Sequence, residues 1–131
     1  MGVDRQLLRS KLDRMATALS ASAHLGRIGA LFSETVLIDV EGAEFYLAFE
    51  KGRLVSIAEG PSLKTPWRFG LRVKHDALRK FWEEVPRPGY HDIFGLVKYG
   101  HARIDGDILV LVKNLRFFKE FMAFGRVGEV P

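Results

Sequence analysis

The residues best able to move a proton near neutral pH are four histidines, at positions 24, 75, 91 and 101. Two of them precede an aspartate, as His75-Asp76 and His91-Asp92. Adjacent side chains point in different directions on a helix or strand, so neither pair is a ready acid–base dyad. Both pairs stand where a helix should start, and a carboxylate there caps free N–H groups and offsets the helix dipole. No His-x-x-x-His spacing occurs and there is no cysteine, which removes the usual zinc ligand sets. The Gly-x-Ser-x-Gly nucleophile elbow and a glycine-rich phosphate loop are also absent. Asp105-Gly106-Asp107 is similar to the start of a calcium loop, but the later acidic ligands do not follow, so a turn and a helix cap explain it better. No catalytic residue, metal or cofactor is expected. His91 beside Tyr90, after the Pro88-Gly89 turn, is the better-placed polar contact for a ligand.

Large apolar residues are the other chemical resource. Trp67, Phe69, Phe81, Trp82, Phe94, Phe117, Phe118, Phe121 and Phe124 all fall on expected sheet or helix faces. Rings of this size either fill a core or frame a pocket, and periodicity does not separate the two. They lack the interleaved aromatic and glycine pattern of an RNA-binding sheet face.

The elements that position these residues are legible from their periods. In Pro66–Lys74 the apolar Trp67, Phe69, Leu71 and Val73 alternate with Arg68, Gly70, Arg72 and Lys74, which predicts a strand with one apolar and one basic face. Ahead of it, Thr35–Val40, Glu44–Phe49 and Leu54–Ala58 form a meander joined by Glu41-Gly42 and Lys51-Gly52 turns. A looser loop, 59–65, contains Gly60-Pro61. Residues 4–19 carry Leu8, Leu12, Met15 and Leu19 at helical spacing, with cations on the remainder. That stripe suits a packed helix, or a helix lying on a membrane surface. A short second helix holds Leu25, Ile28, Leu31 and Phe32. Helices are predicted over 77–85, capped by Asp76, and after Tyr90-His91-Asp92, ending at Gly100. Ala102–Asp105 reads as an edge strand. Asp107 caps a last helix, 108–124, whose stripe is Ile108, Leu111, Val112, Leu115, Phe118 and Met122, and the tail from Gly125 frays. Strands followed by helices argue an α+β fold: a mostly antiparallel five-stranded sheet with helices on one face.

Composition bounds the rest. The 131 residues suit one domain, with 1–33 as an N-terminal helical segment and 34–124 as the core. The longest aliphatic run, Ile108–Val112, is far too short to span a bilayer, and the N-terminus has no signal-peptide core. Without cysteine a cytoplasmic home is expected. Net charge is +4, and the whole excess lies after residue 65, where twelve Lys/Arg face eight Asp/Glu. Arg68, Arg72 and Lys74 are therefore a candidate docking stripe for an anionic membrane or an acidic partner protein. Nucleic acid is disfavoured, since no recognition helix or stacking platform accompanies the charge.

The segment from about Glu34 to Phe124 resembles the sterol carrier protein type two family of lipid-transfer domains. The resemblance rests on Phe45-Tyr-Leu-Ala-Phe49 followed by Lys51-Gly52, on Trp67–Val73 leading into a helix, and on Gly100-His-Ala-Arg-Ile-Asp-Gly-Asp107 before a hydrophobic helix. It implies helices that enclose a hydrophobic tunnel for a sterol, fatty acid or acyl-CoA. The implied wall is Phe45, Leu47, Trp67 and Phe69 on the sheet, Phe81, Ile93, Phe94 and Val97 on the middle helices, and Leu111, Leu115 and Phe118 on the last. Tyr90, His91 and Arg103 are the candidate polar contacts. The segment Pro88–Phe94 departs from the family's general pattern, and the chain ends Glu-Val-Pro rather than in the peroxisomal Ser-Lys-Leu. A bacterial cytoplasmic accessory protein handling an apolar metabolite is the expectation. A non-enzymatic carrier comes first, with two alternatives: an enzyme using the same cavity with His91 as acid or base, and an interaction module with a filled interior.

Overall fold

Alternating residues build five strands whose inward side chains share one core. A computed structural model describes residues 3–126; the rest of the tail expected to fray, 127–131, lies outside the described residues. Two helices, α1 (Arg5–Ser20) and α2 (Ala23–Ile28), precede strands β1 (Thr35–Val40), β2 (Ala43–Glu50), β3 (Arg53–Glu59) and β4 (Phe69–Val73). Helices α3 (His75–Phe81) and α4 (Ile93–Lys98), edge strand β5 (Ala102–Gly106), and helices α5 (Ile108–Lys113) and α6 (Leu115–Ala123) follow, closed by a 3-10 turn Phe124–Arg126.

The sheet order is β3-β2-β1-β4-β5. β1 and β4 pair in parallel at its centre, Ile38 opposite Leu71, and the other three pairings are antiparallel. Two hairpins place both central residues at positive φ, Glu41-Gly42 (51° and 93°) and Lys51-Gly52 (50° and 78°), the turn whose twist matches the strands it joins. Gly52 has a second reason to be glycine. A Cβ there would meet the Gly29 carbonyl oxygen at 2.7 Å.

Val36, Ile38 and Val40, Phe45, Leu47 and Phe49, and Phe69, Leu71 and Val73 all point into the core. Leu8, Leu12, Met15 and Leu19 of α1 join the same core at 2% exposure or less, so the leucine stripe is spent on packing rather than on a membrane. Asp4 caps α1, accepting hydrogen bonds from the Gln6 and Leu7 amides. The loop from Gly60 to Arg68 crosses the opposite face of the sheet, where the Ser62 amide donates to the Tyr46 hydroxyl at 3.1 Å.

Three expectations need correction. The helix after β4 begins at His75 with no side-chain cap, and Asp76 sits inside its first turn, paired with Lys80 at 3.0 Å. The last helix is two. Asn114 (φ −118°, ψ 24°) interrupts it, and its side-chain amide donates to the Val110 carbonyl at 2.9 Å, satisfying the end of α5. With the register broken, Ile108 and Val112 leave the buried stripe and stand 48% and 56% exposed. In the second helix, Leu25 is buried but Leu31 lies beyond the helix and fully in solvent. Other caps hold: Asp92 accepts from the Phe94 amide at 2.7 Å, and Asp107 from those of Leu109 and Val110. Gly100 (φ 78°) ends α4, with the His101 amide donating to the Leu96 carbonyl at 2.8 Å.

Phe49 is the hub of the interior. Its ring centre is 5.3 Å from that of Phe32, 5.8 Å from Phe117 and 5.2 Å from Phe121, the last two edge-on. Phe49→Ala is expected to cost about 3–5 kcal/mol, the range for emptying a large aromatic site. Urea denaturation of the two proteins, monitored by circular dichroism, measures it.

Candidate functional site

The interior between sheet and helices is where the implied wall residues meet. Phe45, Leu47 and Phe69 rise from the sheet, Phe81 comes from α3, Ile93 from α4, Leu111 from α5 and Phe118 from α6, all in one buried cluster. Phe94 and Leu115 are half-buried against it. Val97 is half-buried and outside the cluster. Rings in this layer pack directly on one another. Phe69 and Phe118 meet edge-on at 5.2 Å, and Phe32 lies between Phe49, Phe69 and Phe117. Four rings that the resemblance did not assign to the wall, Phe32, Phe49, Phe117 and Phe121, supply much of this filling. For Phe117 and Phe121 the helical spacing in Phe117-Phe118-x-x-Phe121 was the available signal.

Trp67 is not part of this layer. The ladder begins at Phe69, so strict alternation does not reach back to residue 67. Its ring lies instead on the other face of the sheet, 6.0 Å from the guanidinium of Arg72.

The expected basic stripe on that face is neutralised. Arg72 donates from Nη1 to Asp39 at 2.6 Å and from Nε to Asp105 at 2.7 Å, with Glu44 at 3.7 Å. The hydrogen bonds to Asp105 and then to Asp39 raise the Arg72 pKa, and the hydrogen bond from Arg72, helped by Arg103, holds the Asp105 carboxyl below its ordinary range. Glu44 in turn accepts from the Tyr46 hydroxyl at 2.6 Å, and burial foremost pushes that phenol up. Arg68 pairs with Glu34 at 3.2 Å. Of the three stripe cations only Lys74 has no carboxylate partner among the described residues.

The three expected polar contacts do not converge. Tyr90 packs against the core, its ring stacked on His101 with centres 5.4 Å apart and its hydroxyl 3.2 Å from Nε2. Lys80 Nζ lies 5.5 Å from the centre of the Tyr90 ring on another side. His91 is exposed, and only its carbonyl is engaged, accepting from Arg126 Nη2 at 2.6 Å. Arg103 lies on the outer face, bound to Asp105. His101 is thus the partner missed from sequence; no pattern links it to a tyrosine eleven residues earlier.

Arg126 also donates to the Phe81 carbonyl at 2.9 Å and stacks over the Phe81 ring at 4.5 Å, so one side chain fastens the segment joining α3 to α4. Desolvation lowers its pKa. Trp82 in that segment donates to the Met122 carbonyl at 2.9 Å. Among the described residues no group of three His, Asp or Glu side chains could hold a metal ion, and no helix is long and apolar enough to cross a membrane.

A search of solved structures finds close likeness over nearly the whole chain. A crystal structure of sterol carrier protein 2 superposes with a TM-score of 0.71, covering 92% of this chain and 96% of that one at 12% identity. The fold is that of sterol carrier protein 2. The conserved hypothetical protein TT1886 of Thermus thermophilus, described as possibly a sterol carrier protein, shares it at a TM-score of 0.68, with 12% identity, 89% of this chain and 85% of that one covered. UbiJ-SCP2, a ubiquinone synthesis protein, shares it at 0.60, with 17% identity over 95% and 96%. No family model matches the sequence, and neither does any curated protein. At 12–17% identity the likeness is one of fold.

The Arg72 network sets a pH dependence. Asp105 titrates below the ordinary value of 3.8 in the folded protein, so its contribution is full above that value and is lost as pH falls through the lowered one. Arg72→Met is expected to raise the Asp105 pKa and to destabilise by about 1.5–3 kcal/mol near neutral pH, the range for hydrogen bonds to charged groups. The difference should shrink in acid. Carboxyl NMR titration, and urea curves in neutral and in acid buffer, check both parts.

Proposed function

We propose that the protein is a non-enzymatic carrier that takes an apolar or amphiphilic small molecule, such as a sterol, a fatty acid or an acyl-CoA, between its sheet and its helical layer. The observation that carries this reading is the likeness in fold to sterol carrier protein 2 over 92% of the chain. The makeup of the layer is in keeping with it. Phe45, Leu47 and Phe69 below, and Phe81, Ile93, Phe94, Leu111, Leu115 and Phe118 above, would give the ligand contacts at roughly 25 cal/mol per Å² of apolar surface buried. A ligand enters such a layer by displacing rings, so its contacts replace those between phenylalanines. The Tyr90–His101 pair at the rim, rather than His91 or Arg103, would meet a polar head group. The lack of cysteine suits a cytoplasmic carrier.

The dense ring packing favours a second reading, an interaction module whose interior is structural and whose surface acts. Displacement of a fluorescent fatty acid by fatty acids, acyl-CoAs and sterols separates the two. The carrier reading expects micromolar displacement by at least one class, and silence from all of them leaves the interaction module. Tyr90→Phe should weaken ligands with a polar head by roughly 0.5–1.5 kcal/mol, two- to tenfold, and leave a purely apolar ligand unaffected.

A further inference from the structure

α5 is an anomaly for a surface helix. Its sequence is Ile108-Leu-Val-Leu-Val-Lys113, yet only Leu111 is fully buried. Ile108, Leu109 and Val112 stand 48%, 68% and 56% exposed, and their i, i+1, i+4 spacing puts them on one face. A helix face turned to water ordinarily carries polar groups, and a contiguous apolar patch marks a place of contact. Next to it, where Asn114 breaks the helix, lies a depression of about 480 Å³. Val112 and Leu115 give it apolar walls, and Lys113, Arg116 and Lys119 face a single acid, Glu120, around it. Glu120 is engaged by Arg116 at 2.9 Å and by His24 at 3.2 Å, and Lys119 pairs with Asp92. Lys113 has no carboxylate partner among the described residues.

We propose that the α5 face and the adjoining depression dock the protein on an anionic lipid bilayer, with Ile108, Leu109 and Val112 entering the interface and Lys113, which no carboxylate holds among the described residues, meeting the head groups. Aliphatic side chains beside cations are what such an interface selects. A second copy fits less well. Three part-exposed side chains and a shallow depression fall far short of the roughly 800 Å² per partner of a stable complex. This surface differs from the β4 face, where carboxylates already hold Arg68 and Arg72. It also lies outside the interior layer, so docking and ligand binding are read separately.

The test is sedimentation of the full chain with vesicles of phosphatidylcholine alone or mixed with phosphatidylglycerol, at low and high salt. Wild type should pellet several-fold more with the anionic vesicles at low salt. The double variant Leu109→Glu, Val112→Glu should fall to the phosphatidylcholine level, with its circular dichroism and soluble fatty-acid displacement unchanged. Lys113→Glu should lose the preference for anionic vesicles. Equal recovery of wild type under all conditions overturns the proposal, as does pelleting of the double variant like wild type. A wild-type dimer in light scattering that the double variant makes monomeric also overturns it, and assigns the patch to a second copy.

Discussion

β4 lies beside β1 in parallel although β3 ends at the far edge of the sheet, so the chain must cross back over the sheet before it re-enters. Much of the molecule follows from that return. The connection from Gly60 to Arg68 runs over the outer face, where it meets Tyr46. Leu37, which points away from the helices, is 1% exposed. The same pairing sets Asp39 level with Arg72, and β5 sets Arg103 level with Arg72 and brings Asp105 within reach. An arginine in the middle of a sheet face is thereby given its carboxylates by register alone. A one-residue slip would turn Arg72 toward the phenylalanines, so the ion pairs and the apolar layer specify the same register from opposite sides.

On the helical side, the interior is a sandwich of rings rather than of aliphatic chains. Phenylalanines contact one another edge-on or tilted, an arrangement with few rotamers per side chain and large area per residue. α4, α5 and α6 are six, six and nine residues long, each ended by its own cap or break. Helices this short derive their stability from packing and not from their own hydrogen bonds.

The strands and hairpins were legible because alternation and the Glu-Gly and Lys-Gly dipeptides are local signals that the tertiary structure merely uses. The sterol carrier fold was legible for the same reason, through Phe45–Phe49 and the Gly100–Asp107 closure. Trp67 was misread because alternation was extended two residues beyond the first ladder pair. The face of Arg72 was legible but its neutralisation was not, because the carboxylates that pair with it lie 33 residues away on either side, and only strand order unites them. The break at Asn114 had a weak signal, an amide side chain able to cap a carbonyl inside an otherwise apolar run. How densely the rings fill the interior had none, since a wall and a core share one period. Tyr90 and His101 likewise lie in the connections before and after α4, and their stacking is a product of how the chain turns back from α4 into β5.

Lys11 is completely buried near the middle of α1, and its ammonium donates to the Gly125 carbonyl at 2.8 Å while lying 5.7 Å from the Trp82 ring. The two bonded residues are 114 positions apart. On the ribosome, the ammonium on this helix is made 114 residues before one of its acceptors. Until the turn at Phe124–Arg126 has emerged, α1 has reason to keep that ammonium in water and to stay off the sheet. Docking of the first helix is thus coupled, through one ammonium, to formation of the turn at Phe124–Arg126.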